Sequence, residues 1–368
     1  FSGSVSHKIA DGHNLGFQFL SSEGSTKFDN RFNAFSADPA FSDNADLSQL
    51  SYAITSNNQI TSSWLSKLKL GEGIDEVVNY SVLGRDLYRT KQKQFAWQND
   101  LTLPVGTLTL LYERLEQRVK STTDYDEDTR NNDGYVVSYL LNEGAHSFQA
   151  SYRSDHNTQF GNNDTGGIGY GYSFTPNWRA TASYGTAFKA PTFNDLYFPG
   201  FSNPDLKPEK SRNFETSLRY ENSDTNASVT LYENKIRDLI ALDFINPPFV
   251  FNVNEARIQG MTLAASQIYG AWQMKGNIDI QSPRDSETDN LLVRRANRHA
   301  SASISRNWGD WRFGAETIAS SKRYSDAANT VSIDGYAILN LTADYKISSD
   351  WKLQARANNV LDKDYGYA

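Results

Sequence analysis

Acidic residues are the side chains in this sequence whose grouping suggests chemistry, namely the binding of a ligand or a cation through carboxylate oxygens. They collect in two polar stretches that we expect to be loops. The first stretch holds Asp29, Asp38, Asp43 and Asp46, and the second holds Asp75 and Asp86. Carboxylates that converge on one point supply the oxygen ligands that Ca²⁺ prefers. Acidic residues are also common in hydrated loops, so the residues alone favour solvated loop acids over a calcium site.

Other patterns that carry chemistry do not predict a site. Asp124, Asp126 and Asp128 have EF-hand spacing, but Thr129 stands where the loop needs glycine and Tyr135 where it needs glutamate. The five histidines are scattered without metal-ligand spacing, and the chain has no nucleophile-elbow, P-loop or dinucleotide fingerprint. The remaining carboxylates alternate with Arg and Lys on polar faces, which indicates a solvated charge lattice. We therefore predict that the chain is not an enzyme and needs no cofactor, calcium in the loops being the exception.

Composition excludes some functions and leaves the membrane open. The 368 residues carry a net charge of −7, which argues against nucleic acid as a partner. No run of about 18 apolar residues exists, so no helix is expected to span a bilayer. A membrane β-strand needs only about 10 residues, of which every second one faces lipid. The absence of cysteine is compatible with export. Because the chain opens at Phe1 without a signal peptide, we expect a fragment or a mature domain.

Alternation of apolar and polar residues predicts β-strands along most of the chain. Trp178, Ala180, Ala182 and Tyr184 share one face of such a strand, because successive side chains point to opposite sides. A soluble sandwich would show the same alternation. The abundance of alanine and threonine on the apolar faces suits a lipid-facing wall better than a packed core, and favours the membrane.

Short connections alternate with long polar ones, which predicts an up-and-down sheet with two unlike ends. The short ones are residues 11–13, 57–59, 104–106, 142–144, 175–177, 223–225, 269–270, 309–310 and 348–350. Counting the segments between them gives about 18 strands. Tryptophans beside the short turns predict an aromatic girdle at one membrane interface, and they are Trp178, Trp272, Trp308, Trp311 and Trp351. Trp64 and Trp97 fit that girdle less well. The expected fold is a transmembrane antiparallel up-and-down β-barrel.

Three blocks in order give the most specific family signal. Residues 153–161 end a strand, and residues 182–191 form a strand that ends at a proline. Leu196 and Tyr197 follow, and residues 203–211 then return through two further prolines. Together they resemble the barrel of TonB-dependent outer-membrane receptors. Residues 252–260 and 357–365 resemble further elements of that family, with Thr262 as a small departure.

The resemblance implies how the chain is organised. Family members have 22 strands and an N-terminal plug. Residues 1–368 would therefore be a partial barrel, without the plug, the first strands and the last strand. Residues 291–296 and the compact loops are most similar to the cobalamin-transporter branch. In that branch, aspartates in equivalent loops bind calcium, which is what the resemblance implies for the six aspartates named above.

The resemblance also implies the function. We expect TonB-dependent import of a scarce, bulky nutrient through the outer membrane of a Gram-negative bacterium. Cobalamin or another corrinoid is the first choice, and a ferric siderophore or haem the alternative. Tyr197, Phe198 and Phe201 are expected to pack on the ligand. Energy would come from the TonB–ExbB–ExbD complex through the missing plug. Rivals of other classes are a passive porin-like channel and an outer-membrane hydrolase, for which no Ser/His/acid set is recognisable.

Overall fold

Alternating side chains and tight turns fold this chain almost wholly into β-strands in the computed structural model. The structure describes residues 1–28, 43–81, 84–198, 200–243, 247 and 249–366. The strands are β1 (Ser2–Ala10), β2 (His13–Phe28), β3 (Asp43–Thr61), β4 (Trp64–Ser81), β5 (Gly84–Thr102), β6 (Thr107–Ser121), β7 (Thr129–Glu143), β8 (His146–Asn157), β9 (Gly161–Ser173), β10 (Trp178–Lys189), β11 (Glu209–Glu221), β12 (Thr225–Leu242), β13 (Val250–Tyr269), β14 (Trp272–Asp285), β15 (Arg298–Trp308), β16 (Trp311–Ser320), β17 (Arg323–Tyr324), β18 (Ser332–Ile333), β19 (Tyr336–Lys346) and β20 (Lys352–Ala357). One short helix, α1 (Phe193–Tyr197), precedes β11.

The predicted antiparallel architecture and strand number are confirmed. Within the described residues, eighteen strands belong to one sheet, and β17 pairs with β18 in a separate two-stranded sheet. Pairing runs between neighbours along the chain, as in β3 with β4 and β12 with β13. No helix in the described part of the chain has both the length and the hydropathy needed to cross a membrane.

The turn predicted at residues 57–59 was wrong, and the observed turn places Trp64 beside it. Residues 57–59 lie inside β3, which continues to Thr61, and the turn falls at residues 62–63. The three polar residues at 57–59 look like a turn but pair with β2 and β4 instead. Trp64 therefore begins β4 directly after a short turn, so it joins the other tryptophans at what we call the short-turn end of the strands. Trp97 lies further along β5.

Strand residues extend into both stretches predicted to be loops, so Asp43, Asp46, Asp75 and Asp86 lie in strands. β2 and β3 stay paired up to Phe28 and Asp43, and β4 and β5 up to Ser81 and Gly84. Asp75 therefore lies within β4, and not in a loop. The ladder extends this far because polar strands keep their backbone hydrogen bonds beyond the apolar band.

The chain forms two compact units, which we describe separately. Unit 1 comprises residues 1–141, 149–166 and 192–205, and unit 2 comprises residues 142–148, 167–191 and 206–368. In unit 1, the register places Phe17, Ile54, Leu70 and Phe95 side by side on one face of the sheet. These side chains are exposed or half-exposed. Unit 1 thus presents an apolar face that the sheet itself does not cover.

Unit 2 has a small core at its long-loop end, where the longer connections lie. Ile236, Leu239, Val253, Ala256, Ile258 and Leu292 are buried there together. Leu292 comes from the connection between β14 and β15, so this connection folds onto the inner side of β12 and β13. The residues 291–296 singled out in the sequence therefore serve packing.

Candidate functional site

An aromatic cluster at the long-loop end of unit 1 is the best candidate site. We call Tyr88, Tyr125, Tyr197 and Phe198 the aromatic cap. The rings of Tyr88 and Phe198 stack with centroids 5.4 Å apart, and those of Tyr125 and Tyr197 lie 6.0 Å apart. Strand β5, the β6–β7 connection and α1 each contribute to the cap. Such a surface of large, rigid rings suits a bulky ligand with apolar faces.

Helix α1 holds Tyr197 and Phe198 in place. Thr192 and Asp195 form a capping box, in which the Asp195 N–H donates to Thr192 Oγ1 (3.1 Å) and the Thr192 N–H donates to Asp195 Oδ2 (2.8 Å). Phe193 and Leu196 are buried, with 5% and 2% of their surface exposed. The five-residue helix is too short to be stable alone, so its caps and its buried face must hold it.

A buried arginine packs against the aromatic residues that underlie the cap. The Arg130 guanidinium lies 4.8 Å from the ring centre of Phe193 and 5.8 Å from that of Phe160. Its Nε donates to Gln117 Oε1 at 3.1 Å. The amide of Gln159 donates to the Tyr197 hydroxyl at 2.8 Å, which ties α1 to the β8–β9 turn. These cation–π and hydrogen-bond contacts preorganise the cap before any ligand arrives.

Two of the three phenols of the cap, those of Tyr125 and Tyr197, are set as neutral hydrogen-bonding groups. Burial raises the pKa of Tyr125 and of Tyr197 above the ordinary value, and the nearby Glu127 adds to the rise for Tyr197. The Tyr125 hydroxyl donates to Asn194 Oδ1 at 2.9 Å. Neutral phenols present both a ring face and a polar tip, which suits recognition of a large ligand that carries amides.

The three aromatic residues predicted to bind ligand lie close together in the chain but differ in environment. Tyr197 and Phe198 are half-buried in the cap, while Phe201 is 39% exposed. Sequence reasoning missed Tyr88, Tyr125, Arg130 and Gln159, which come from four other segments. The only signal for them was the presence of aromatics near predicted loops. Their convergence depends on tertiary contacts, and the ligand-binding role of all these residues stays a prediction.

The predicted calcium ligands are placed only in part. Asp29 and Asp38 lie outside the described residues. Asp43, Asp75 and Asp86 share one face of the sheet through their register, whereas Asp46, three residues after Asp43, points to the other face. Among the residues that the structure describes, no three His, Cys, Asp or Glu side chains form a group able to hold a metal ion. Calcium binding therefore stays a prediction.

Carboxylates on the polar faces pair with basic side chains, as the alternation of charges indicated. Lys67 Nζ lies 2.8 Å from Asp100, Arg153 lies 2.7 Å from Asp155, and Arg356 lies 2.9 Å from Glu316. Asn132 also donates to Asp155 at 2.6 Å. Carboxylates held in this way are not arranged as an acid/base pair for catalysis.

Several residues of the recognised sequence blocks have structural roles. Asn252 accepts from the Lys207 N–H at 2.9 Å and donates to the Asp238 carbonyl at 2.7 Å, which ties three segments together. At Gly260, an added Cβ would lie 2.5 Å from the Tyr232 hydroxyl. Only glycine leaves room for that hydroxyl to donate to Asp279. Asn252 therefore ties the strand ends of unit 2, and Gly260 makes room for packing in the middle of β13.

A buried aspartate organises the connection that carries β17 and β18. Asp326 accepts from the N–H groups of Thr330 (3.0 Å) and Val331 (2.7 Å) and from the Thr330 hydroxyl (2.7 Å). Burial alone would raise the pKa of Asp326, but these donors outweigh it and lower the pKa below the ordinary value. Since its pKa is lower in the folded state, the carboxylate stabilises the loop above about pH 4 and loses this effect as the pH falls through the folded pKa.

We expect this loop to open on acidification, and Asp326→Asn to loosen it at neutral pH. An amide in place of the carboxylate removes a charge-assisted acceptor, at a cost of about 1–3 kcal/mol. Hydrogen exchange of the Thr330 and Val331 amides, corrected for intrinsic rates, measures both effects. Asp334→Asn, at an exposed loop position, is the control and should change neither. Equal protection at pH 7 and pH 3 in the native protein would contradict the prediction.

Comparison with known protein families gives a match over nearly the whole chain. The family model described as "TonB dependent receptor-like, beta-barrel" matches residues 3–360. Among curated proteins, the vitamin B12 transporter BtuB of Photobacterium profundum is 33% identical over 309 residues, which are 82% of this chain and 51% of that protein. The vitamin B12 transporter BtuB of Vibrio vulnificus is 28% identical, over 99% of this chain and 60% of that protein. The chain thus spans between half and three-fifths of these relatives.

Solved structures share the fold at low identity. The siderophore receptor PirA of Acinetobacter baumannii superimposes with a TM-score of 0.83 at 17% identity, covering 98% of this chain and 66% of that one. A mutant of the ferric enterobactin receptor PfeA of Pseudomonas aeruginosa gives 0.83 at 15% identity, covering 98% and 64%. At this identity the likeness shows the fold alone.

Proposed function

This chain belongs to the family of TonB-dependent receptor β-barrels, and we propose that it is the barrel part of an outer-membrane receptor that imports cobalamin or a related corrinoid. The observation that carries the choice of substrate is the likeness to two curated vitamin B12 transporters along most of the chain. The siderophore receptors share the fold at about half that identity.

Placement in the outer membrane is supported by an apolar band of suitable height. On β4 the outward face carries Trp64, Leu68 and Leu70, with Ser66 accepting from the Trp97 indole between them. The next residue on that face, Glu72, pairs with Lys91 at 2.8 Å. The eight steps from Trp64 to Glu72 span about 26 Å along the strand at ~3.3 Å per residue, or about 19 Å along the membrane normal for strands tilted by roughly 45°. Outer-membrane barrels carry an outward apolar band of about 25 Å between their interfaces, and this stretch fits within such a band. The exposed apolar side chains of this band are then covered by lipid.

Ligand capture would take place on the aromatic cap. In an outer-membrane barrel the short turns lie on the periplasmic side, which places the cap on the extracellular side. A corrin ring has broad apolar faces with amide side chains at its edge, so it offers area to Tyr197 and Phe198 and hydrogen bonds to the phenols. Phe201 lies exposed next to them. Because the cap is already held by Arg130 and Gln159, little ordering entropy opposes binding.

Transport needs parts that lie outside these residues. A barrel of this size encloses a channel too wide to select a solute, so a plug must close it and complete the binding site. We propose that the plug passes energy from the TonB–ExbB–ExbD complex, as the family membership implies. On this view the chain makes and breaks no covalent bonds, and its action is binding and conformational change.

Whole-cell uptake in a deletion strain tests the proposal. Labelled cobalamin and labelled ferric siderophores are offered to the parent strain, to the deletion strain and to the complemented strain. We expect loss of cobalamin uptake alone. If the deletion strain takes up cobalamin normally but no longer takes up a ferric siderophore, the receptor imports iron chelates instead. Free diffusion of unrelated small solutes through the receptor would favour a porin-like channel.

Calcium is proposed to bind Asp43, with Asp29, Asp38, Asp46, Asp75 and Asp86 as further candidate ligands. We expect the double variant Asp43→Ala, Asp46→Ala to reduce calcium-dependent ligand affinity about tenfold, within the usual range of coupling between two sites. Titration of the complete receptor with cobalamin, with calcium or with chelator, measures this. The single variants Asp43→Ala and Asp46→Ala show which of the two side chains contributes, because they lie on opposite faces of β3. Affinity that chelator leaves unchanged in the native receptor would end the calcium proposal and leave the transport proposal intact.

A further inference from the structure

Two adjoining depressions lie on the apolar face of unit 2. One, of about 600 Å³, runs across β10 to β16, and the other, of about 700 Å³, lies nearer the short-turn end. Together we call them the apolar groove. Small residues at the same height on successive strands form the floor of the first part, and they are Ala227, Ala265, Gly276 and Ala302. Trp178 and Tyr220 form its rim.

The second depression continues the first along β15 and β16. Ala302 in the first and Ile304 in the second are alternate residues of β15, so they lie on the same face. Ala315 pairs with Ile304 on one side and with Leu341 on the other. A methyl group between two large aliphatic side chains leaves a notch, and this notch forms the floor.

A guanidinium lies at the short-turn end of the groove. Arg306 pairs with Trp272 and Phe313 in the sheet, so it shares their outward face, and its guanidinium carbon lies 5.0 Å from the Trp272 ring centre. Arg306 is exposed. Among the ion pairs of the described residues, none involves Arg306. A cation held over an indole at headgroup depth, with no ion pair to a carboxylate among the described residues, is available to a phosphate.

The length of the groove matches one leaflet. Six residue steps separate Arg306 from Ala300, which lies in the upper depression. They span about 20 Å along the strand at ~3.3 Å per residue. With strands tilted by roughly 45°, this is about 14 Å along the membrane normal, and half of a ~30 Å hydrocarbon core is about 15 Å.

From the groove and its cationic end, we propose that unit 2 binds one phospholipid of the leaflet at the short-turn side, with an acyl chain in the apolar groove and the phosphate on Arg306. The headgroup is anionic, because an unpaired guanidinium gains more from a net negative headgroup than from a zwitterionic one. A second protein would instead need an acidic residue to meet Arg306 and a ridge one leaflet long to fill the groove. The proposal rests on the membrane placement proposed above, but not on the choice of substrate.

Native mass spectrometry of the complete receptor, released from detergent, tests the site with two probes of equal acyl chains: dioleoyl phosphatidylglycerol and dioleoyl phosphatidylcholine. We expect one phosphatidylglycerol to be retained in preference to phosphatidylcholine. Arg306→Gln should weaken its retention about tenfold, as for loss of a charge-assisted contact. Ala315→Leu, which fills the notch but keeps Arg306, should weaken retention of both lipids. The matched controls are Arg212→Gln and Ala182→Leu, on the same face outside the groove, and they should behave as the native receptor.

Three outcomes would overturn the proposal. Equal retention of phosphatidylglycerol by the native receptor and by Arg306→Gln would remove the headgroup contact. Unchanged retention in Ala315→Leu would remove the groove. A dimer mass that disappears in Ala315→Leu would assign the groove to a second copy. Quenching of tryptophan fluorescence by brominated lipid separates these results from failure of the membrane placement, because it reports insertion whatever the headgroup.

Discussion

Replacing Tyr197 and Phe198 together with alanine is expected to weaken cobalamin binding to the complete receptor by roughly three decades in Kd. Truncation of a central aromatic contact costs about 2 kcal/mol or more, so two such contacts cost about 4 kcal/mol. Both rings are half-buried in the cap. Phe198 stacks on Tyr88, and Tyr197 lies tilted against Tyr125. Part of the loss would come from the looser cap and part from the lost contact area. Equilibrium binding of labelled cobalamin measures the sum.

A matched pair of aromatics on the apolar face separates ligand contact from general damage. Tyr184 and Phe214 pair directly in β10 and β11 and are 44% and 50% exposed. Their double alanine variant removes similar ring area away from the cap, so its affinity for cobalamin should match that of the native receptor. If the cap variant also binds normally, the aromatic cap is not the capture site.

Leu196→Ala is expected to release α1 from the cap. Leu196 is 2% exposed, and truncating a buried leucine costs about 2–5 kcal/mol. A five-residue helix held by one capping box has little local stability beyond that amount. Hydrogen exchange of the α1 amides should therefore rise steeply. The affinity for cobalamin should fall with it, because Tyr197 and Phe198 would no longer be preorganised.

The control for this prediction is a substitution that conserves volume. Leu196→Met keeps the buried side chain and should leave α1 protected, since such exchanges cost less than about 1.5 kcal/mol. Leu218→Ala, on the apolar face at 42% exposure, should leave the protection of α1 unchanged. Protection of α1 that is equal in the native receptor and in Leu196→Ala would mean that contacts other than Leu196 hold the helix.

The sequence blocks that reveal the family are informative about the fold for a physical reason. Asn252 bridges backbone groups of two segments, and Ala256, which is fully buried, and Ile258 form part of a core. Asn359 adopts a left-handed conformation and bonds twice to Lys363. Such residues are required by strand ends and turns, whatever the receptor carries. We therefore expect the choice of substrate to depend on other residues, for which we propose those of the aromatic cap.

Alternation of side chains was enough to predict the antiparallel sheet, the number of strands and the apolar face, because a two-residue period assigns each side chain to one side. The same local pattern could not set the strand ends. Residues 57–59 look like a turn, and Asp75 looks like a loop residue, yet both lie in strands because their neighbours offer backbone partners. Only the tertiary structure brought Arg130 and Gln159 under Tyr197, and Arg306 to the end of a groove. Those groupings join segments far apart in the chain, and no local pattern encodes a contact between them.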